Sequence, residues 1–307
     1  MDLQISTACL PYPLGWTFAT ARALGVEGIE ISLTPALLRK GAGHVLRLSE
    51  GHGIPVRSLA IDWAGRPPPG RVEIGEIGRF AAALPQCRVL VVPAPRPGGR
   101  ALSTGGIGSY LQLLRSLSDV LPSGRVAVTL ENPPGVRADG RVGPLDRFPQ
   151  LRRLVEEWDL GFTFNTSYAG SSGWVITEPL PQMGGRLRNV HLGDFRPPAA
   201  GGALELPPGG VRDQHLRRLP GDGILPLRAL LRALGRRRYA GLLTLDVHPR
   251  HLRAWWPPAA RGRLAAVVAF CRSAARDSGP QRPDATERAV EAPAEAENEG
   301  RGLRTED

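Results

Sequence analysis

Lysine is almost missing from this chain: of 39 basic residues only Lys40 is a lysine, and the rest are arginine. Beside 38 glycines and 30 prolines, that skew reads as a genome-wide codon preference rather than a phosphate-binding face, and it weighs against a nucleic-acid partner despite a net charge of +10. Cysteine is scarce too. Cys9, Cys87 and Cys271 are odd in number, far apart and in no paired spacing, which excludes a disulfide framework or a cysteine zinc site and fits a reducing cytoplasm. No run of about 18 apolar residues occurs, so no membrane-spanning helix is expected. Met1 to Ser6 runs directly into a strand-like segment with no basic stretch and apolar core, so no leader peptide is expected either. No strand leads into a G-x-G-x-x-G turn, which argues against an open dinucleotide-binding sheet.

What remains is a chain of 307 residues with 42% hydrophobic content, enough for one large domain and a sizeable core. Residues 278–307 have no periodic apolar face, and their four arginines stand against eight acids. They read as a disordered acidic tail of net charge −4, which leaves +14 on residues 1–277.

Within residues 1–277, short β-branched or leucine-rich runs alternate with longer amphipathic stretches. Eight such runs occur, at Leu3–Thr7, Gly28–Ser32, Val56–Asp62, Arg88–Pro93, Val126–Glu131, Gly161–Asn165, Asn189–Gly193 and Leu242–Asp246. They recur every 34 residues or so, room for a strand, a loop and a helix, so the expected fold is α/β, a closed (β/α)8 TIM barrel. Helices are expected between the runs, among them Pro35–His52 and Ser172–Met183. One interval is long: Arg196 to Gly223, mostly Pro, Gly, Ala and Arg, reads as a lid or an insertion after strand seven.

Strand parity is the most informative pattern. Alternate residues of a barrel strand face the interior and the helices. Phe162 and Phe164 belong against helices, which turns Gly161, Thr163 and Asn165 inward. The same split puts Glu131, His191 and Asp246 inward at the carboxyl ends of their strands, with Asp62 and Glu30 on strands three and two. Active sites of this fold lie at that end, where neighbouring strands about 4.8 Å apart bring side chains onto one point. Two carboxylates, an amide oxygen and an imidazole suit Mn²⁺, Mg²⁺, Co²⁺ or Zn²⁺. Singly, each has a plainer reading: Glu131 and Asp246 as solvated caps, His191 as an interior hydrogen-bonding group, Asn165 as a turn former.

At these residues the chain resembles the xylose-isomerase-like TIM barrels, which include sugar-phosphate isomerases and epimerases and, more distantly, endonuclease IV. The resemblance spans residues 3 to about 272. It rests on Leu24-Gly25-Val26-Glu27-Gly28-Ile29-Glu30, Leu130-Glu131-Asn132, Asn165-Thr166-Ser167-Tyr168, His191-Leu192-Gly193-Asp194, Pro220-Gly221-Asp222-Gly223 and Tyr239-Ala240-Gly241 leading to Asp246. It implies that Glu131 and Asp246 bind metal and shuttle the proton, with Asn165 and His191 as the other ligands. Three departures stand out: Asn165 replaces a carboxylate, Asp246 is a shortened Glu, and Tyr168 stands where a histidine often touches substrate. Substrate contacts are assigned to Tyr168, Arg196, His248 and Asp62.

The expected activity is therefore a divalent-metal-dependent isomerase or epimerase of a sugar, sugar phosphate or other hydroxy-carbonyl compound, working through an enediolate in the cytoplasm. Its partner would be a small carbohydrate-like molecule. A homo-oligomer is compatible with the sequence. The departures favour, as the alternative, a repurposed barrel with a degraded metal site that binds a small ligand without turning it over. An endonuclease IV-like repair enzyme ranks below both, because its multi-zinc chemistry needs more histidines.

Overall fold

A computed structural model of the chain describes residues 1–61, 70–94, 106–135, 147–197 and 215–276. Asp62, the middle of the long loop after strand seven and the acidic tail 278–307 lie outside the described residues.

Eight parallel strands close into a barrel in sequence order: β1 (Asp2–Ser6), β2 (Gly28–Leu33), β3 (Val56–Ile61), β4 (Val89–Pro93), β5 (Ala127–Glu131), β6 (Gly161–Asn165), β7 (Leu187–Leu192) and β8 (Leu242–Leu245), with β8 pairing back onto β1. All eight expected runs form strands, with ends shifted by one or two residues.

The helices follow where amphipathic stretches permit: α1 (Leu14–Leu24), α2 (Pro35–Lys40), α3 (Ala42–His52), α4 (Arg71–Ala82), α5 (Gly106–Val120), α6 (Phe148–Glu157), α7 (Thr166–Ser171), α8 (Leu180–Met183), α9 (Leu227–Arg236), α10 (Pro249–Leu252) and α11 (Pro257–Arg276). Two expectations need correction. The single helix expected over Pro35–His52 breaks at Gly41, whose φ of +74° no helix accommodates. The helix expected over Ser172–Met183 does not form as one piece. Gly173, at φ +75°, ends the turn that follows α7, and helix resumes only with α8, whose first turn begins beside Pro179.

The parity expectation holds for the described residues; Asp62, expected to face inward on strand three, is outside them. Phe162, Phe164, Leu130, Val190, Leu192, Leu243 and Leu245 are buried in the apolar layer between barrel and helices. The interior layers, commonly filled in this fold by branched apolar side chains, are here largely polar. Only Val89, Val91 and Leu242, with Ala60, form a small apolar plug inside. Above it the interior is hydrogen-bonded side chain to side chain. Gln4 Nε2 donates to Ser58 Oγ (2.8 Å) and Thr244 Oγ1 (2.6 Å), Thr244 donates to Asn189 Oδ1 (2.8 Å), and Asn189 Nδ2 donates to Glu30 Oε2 (3.2 Å). This ladder joins β1, β3, β8, β7 and β2, and leads upward to the ends of the strands.

Candidate active site

Three groups meet at the carboxyl end of the barrel. Glu131 ends β5, His191 lies on β7 and Asp246 follows β8; all are buried, and one ligand-capable atom from each lies within 4.8 Å of the others. Asn165, the last residue of β6, stands between the carboxylates. Its Nδ2 donates to Glu131 Oε1 (2.9 Å) and Asp246 Oδ2 (3.2 Å), while its Oδ1 accepts from the Tyr168 backbone N–H (3.2 Å) and Ser167 Oγ (2.9 Å), capping α7. The asparagine thus presents its amide N–H groups, not its oxygen, to the site. Asn132 locks it from behind, accepting from the Asn165 backbone N–H (2.7 Å) and donating to its carbonyl (3.1 Å).

His191 is gripped at both ring nitrogens. Nδ1 lies 2.7 Å from Glu131 Oε1, and Nε2 lies 3.0 Å from Glu30 Oε2. Glu30 also accepts from Ser58 Oγ (2.9 Å), so the interior ladder fixes the carboxylate that fixes the ring. Burial works against a charged imidazole, yet the two carboxylates outweigh it and hold the His191 pKa well above the ordinary histidine value. With no ion bound, His191 is an imidazolium donating to both. Its folded pKa is raised, so its contribution to stability is fully present below the unfolded pKa of about 6.5 and disappears as pH rises through the folded value. Chelator-treated protein is expected to lose thermal stability on the alkaline side of neutrality, and His191→Gln to flatten that slope. An unchanged slope in the variant would refute this assignment.

Arg217, which the sequence marks only as one of several arginines of the long loop, enters the site directly. Its Nη2 lies 2.6 Å from Asp246 Oδ1, with both side chains largely buried, an ion pair without hydrogen-bond alignment. Arg217 adopts φ +50°, left-handed for a non-glycine residue, and the surrounding loop holds it there. Asp194, just after β7, is the anchor of that loop. Its Oδ1 accepts from the N–H groups of Phe195 (2.8 Å) and Leu225 (3.1 Å), and its Oδ2 from Gly221 (2.9 Å) and Gly223 (3.0 Å). A Cβ on Gly223 would stand 2.1 Å from Asp194 Oδ1, and one on Gly193 would stand 2.8 Å from the Asp246 carbonyl and 3.1 Å from Arg217 Cα, so both positions require glycine. One buried carboxylate thus folds Pro220–Gly223 back over the barrel and sets Arg217 against Asp246. Asp194→Ala is expected to cost about 2 kcal/mol or more, because four backbone donors lose a charged acceptor. A thermal melt reads this, and an unchanged melting temperature would refute the anchoring role.

The other assigned residues are placed less centrally. Tyr168 is half-buried on α7, tied to the site through its backbone N–H. His248 follows Asp246; its backbone N–H donates to the Arg217 carbonyl (2.8 Å), and with Arg217 it lines a cavity of about 660 Å³ beside the site. Arg196 is exposed, and its backbone N–H donates to the His215 carbonyl. Asp62 falls outside the described residues. Lys40 and His44, which parity could not reach, line the same cavity as His248. All three cysteines are free and buried, and burial pushes each thiol up to about 12, so none is available as a thiolate. Among the described residues no helix is long and apolar enough to cross a membrane.

No curated protein matches the chain. Solved structures with the same fold include 3-keto-D-glucoside 4-epimerase from E. coli (20% identity, TM-score 0.62, covering 89% of this chain and 99% of that one). D-allulose 3-epimerase from Methylomonas sp. gives 14% identity and a TM-score of 0.61, covering 89% and 96%. The probable 3-DHS dehydratase of petrobactin synthesis from Bacillus anthracis gives 14% and 0.63, covering 89% and 99%. At these identities the likeness concerns the fold. Residues 18–273, which carry seven of the eight strands and every side chain of the Glu131–His191–Asp246 cluster, match the family described as xylose isomerase-like TIM barrel, and the chain belongs to that family.

Proposed function

We propose that this protein is a divalent-metal-dependent epimerase or isomerase of a small, carbohydrate-like hydroxy-ketone or hydroxy-aldehyde. The observation that carries the reading is the pair of buried carboxylates, Glu131 and Asp246, held by the two N–H groups of one amide around a histidine.

The donor set fits an ion. With Nε2–H donated to Glu30, the Nδ1 lone pair of a neutral His191 points at Glu131, so Glu131, Asp246 and His191 Nδ1 offer two oxygens and one nitrogen, and Glu30 orients the ring from outside. Asn165 joins as a fourth ligand only if its amide turns over and gives up the α7 cap. Held as it stands, it steadies the carboxylates instead. When bound, the ion supplies polarisation of the substrate carbonyl and hydroxyl oxygens, which acidifies the neighbouring C–H.

The chain's own residues do the rest. Glu131 takes the proton from that carbon, leaving the enediolate of the substrate. Arg217, lining the adjoining cavity, is placed to meet its negative charge. For isomerisation Glu131 would return that proton to the neighbouring carbon while the substrate hydroxyl proton passes to the carbonyl oxygen. For epimerisation Asp246, entering the cycle protonated, would deliver its proton to the opposite face, and the proton left on Glu131 would pass back to Asp246 through substrate hydroxyls or solvent. Burial of both carboxylates keeps bulk water off the intermediate.

A second reading also has an observation behind it. Arg217 on Asp246, and a protonated His191 between Glu30 and Glu131, offset two of the site's three carboxylate charges without any ion, as a non-catalytic binding barrel would require. Elemental analysis after loading with Mn²⁺, Co²⁺ or Zn²⁺ separates the two. One equivalent of metal, lost in His191→Ala, is expected; no retention under any loading would favour the second reading. An endonuclease-like multi-metal centre finds no support, since the described residues hold one ligand cluster.

A further inference from the structure

The end of the barrel opposite the candidate active site holds a pocket of about 780 Å³. Residues at the beginnings of β4 to β7 and the turn before β8 line it, one strand length, about 15 Å, from Glu131 and Asp246. Six arginines surround it: Arg88, Arg125, Arg186, Arg188, Arg237 and Arg238. They come from four separate stretches of the chain, at 88, 125, 186–188 and 237–238, which barrel closure brings together.

Two of the six are balanced. Arg88 pairs with Asp2, and Arg186 with Asp159 (2.8 Å), the one acid that lines the pocket. Arg125 is steered by the carbonyls of Ala81 (3.0 Å) and Ala82 (3.2 Å), which leaves its buried Nε without an acceptor among the described residues. Among the described residues no carboxylate is within ion-pair reach of Arg125, Arg188, Arg237 or Arg238. A codon preference explains why the chain's cations are arginine. It does not explain why four of them crowd one concavity without counter-charge, where their mutual repulsion costs stability.

We propose that this pocket binds a small anion carrying two or more phosphate groups. The exposed guanidinium groups of Arg188, Arg237 and Arg238, with the charge of Arg125 held beside them by the Ala81 and Ala82 carbonyls, match two phosphates of about −1.5 to −2 charge each, and forked contact with phosphate is the geometry the guanidinium favours. The volume lies within the range of small-molecule sites and exceeds what one phosphate fills. A pocket closed around by strand starts suits a compact ligand rather than a duplex, which needs an extended basic stripe. The site is separate from the reaction centre and stands whether or not the proposed activity does.

The test is calorimetric titration of the full chain with phosphate, pyrophosphate and tripolyphosphate in low salt, beside a 20-base-pair DNA duplex. Tripolyphosphate is expected to bind once per chain and more tightly than phosphate. The triple variant Arg188→Gln, Arg237→Gln, Arg238→Gln is expected to weaken it about tenfold or more. Arg79→Gln with Arg153→Gln, exposed arginines on α4 and α6, is expected to leave it unchanged. The triple variant should melt no lower than the parent without ligand, because its lost charges repelled one another, and should lose the ligand-induced rise in melting temperature. Absence of saturable binding, equal weakening in the control pair, or tighter binding of the duplex would each overturn the proposal.

Discussion

Glu131→Gln is expected to reduce turnover about a thousandfold or more while leaving the fold intact, the range lost when a positioned general base is removed. That is about 4 kcal/mol of barrier. The substitution is nearly isosteric, and the Gln oxygen can still accept from His191 and Asn165, the two donors that Glu131 Oε1 now serves. Proton affinity is lost together with one negative charge facing His191 and the ion, so parent and variant are compared at saturating metal. Wash-in of deuterium from heavy water into a ketose, measured on metal-loaded protein, reads the proton transfer even where net conversion is small. Equal wash-in by parent and variant would remove Glu131 from the base role; its absence in both would favour the non-catalytic barrel.

Arg217→Met is expected to act on three properties at once. Removing one partner of a buried ion pair leaves Asp246 as a buried carboxylate with only the Asn165 amide, a loss of about 3–5 kcal/mol where such pairs have been broken. Turnover falls, because the cation facing the enediolate is gone. Metal affinity, in contrast, rises about tenfold or more, because a positive charge no longer competes for Asp246. Tighter metal with slower turnover is a combination that plain unfolding does not produce. The double variant Arg217→Met, Asp246→Asn is expected to recover much of the melting temperature, since no uncompensated charge remains. Unchanged metal affinity in Arg217→Met would refute the competition between guanidinium and ion.

These two variants differ in how visible their targets were. Glu131 was found by parity: strand period is two, and Leu130 facing the helices forces Glu131 inward at the strand end. The same rule found Asn165, His191 and Asp246, and register then brought the four together as expected, with Asn165 opposite His191. Arg217 carried no such mark. It lies outside every strand, in a Pro- and Gly-rich stretch, as one arginine among dozens, and its position is dictated by the Asp194 carboxylate gathering three N–H groups more than 20 residues away. The orientation of the Asn165 amide is not legible in the sequence for a related reason. Its residue type offers both an oxygen and an N–H pair, and the choice fell to the unpaired N–H of α7, which claims the oxygen.

By itself the sequence determined the barrel, its eight strands, and which side chains face its interior, because those follow from the alternation of apolar residues along each strand and the recurrence of strands along the chain. It also ruled out a disulfide framework and a cysteine zinc site, which need paired sulfur. Only the tertiary structure decided what those side chains do. The protonation of His191 depends on Glu30, 161 residues distant, and the partner of Asp246 depends on a folded-back loop. The concentration of arginine at the far end of the barrel depends on ring closure. Electrostatics acts through space over a few ångströms, and the contacts that set charge in this protein join residues that no local pattern connects.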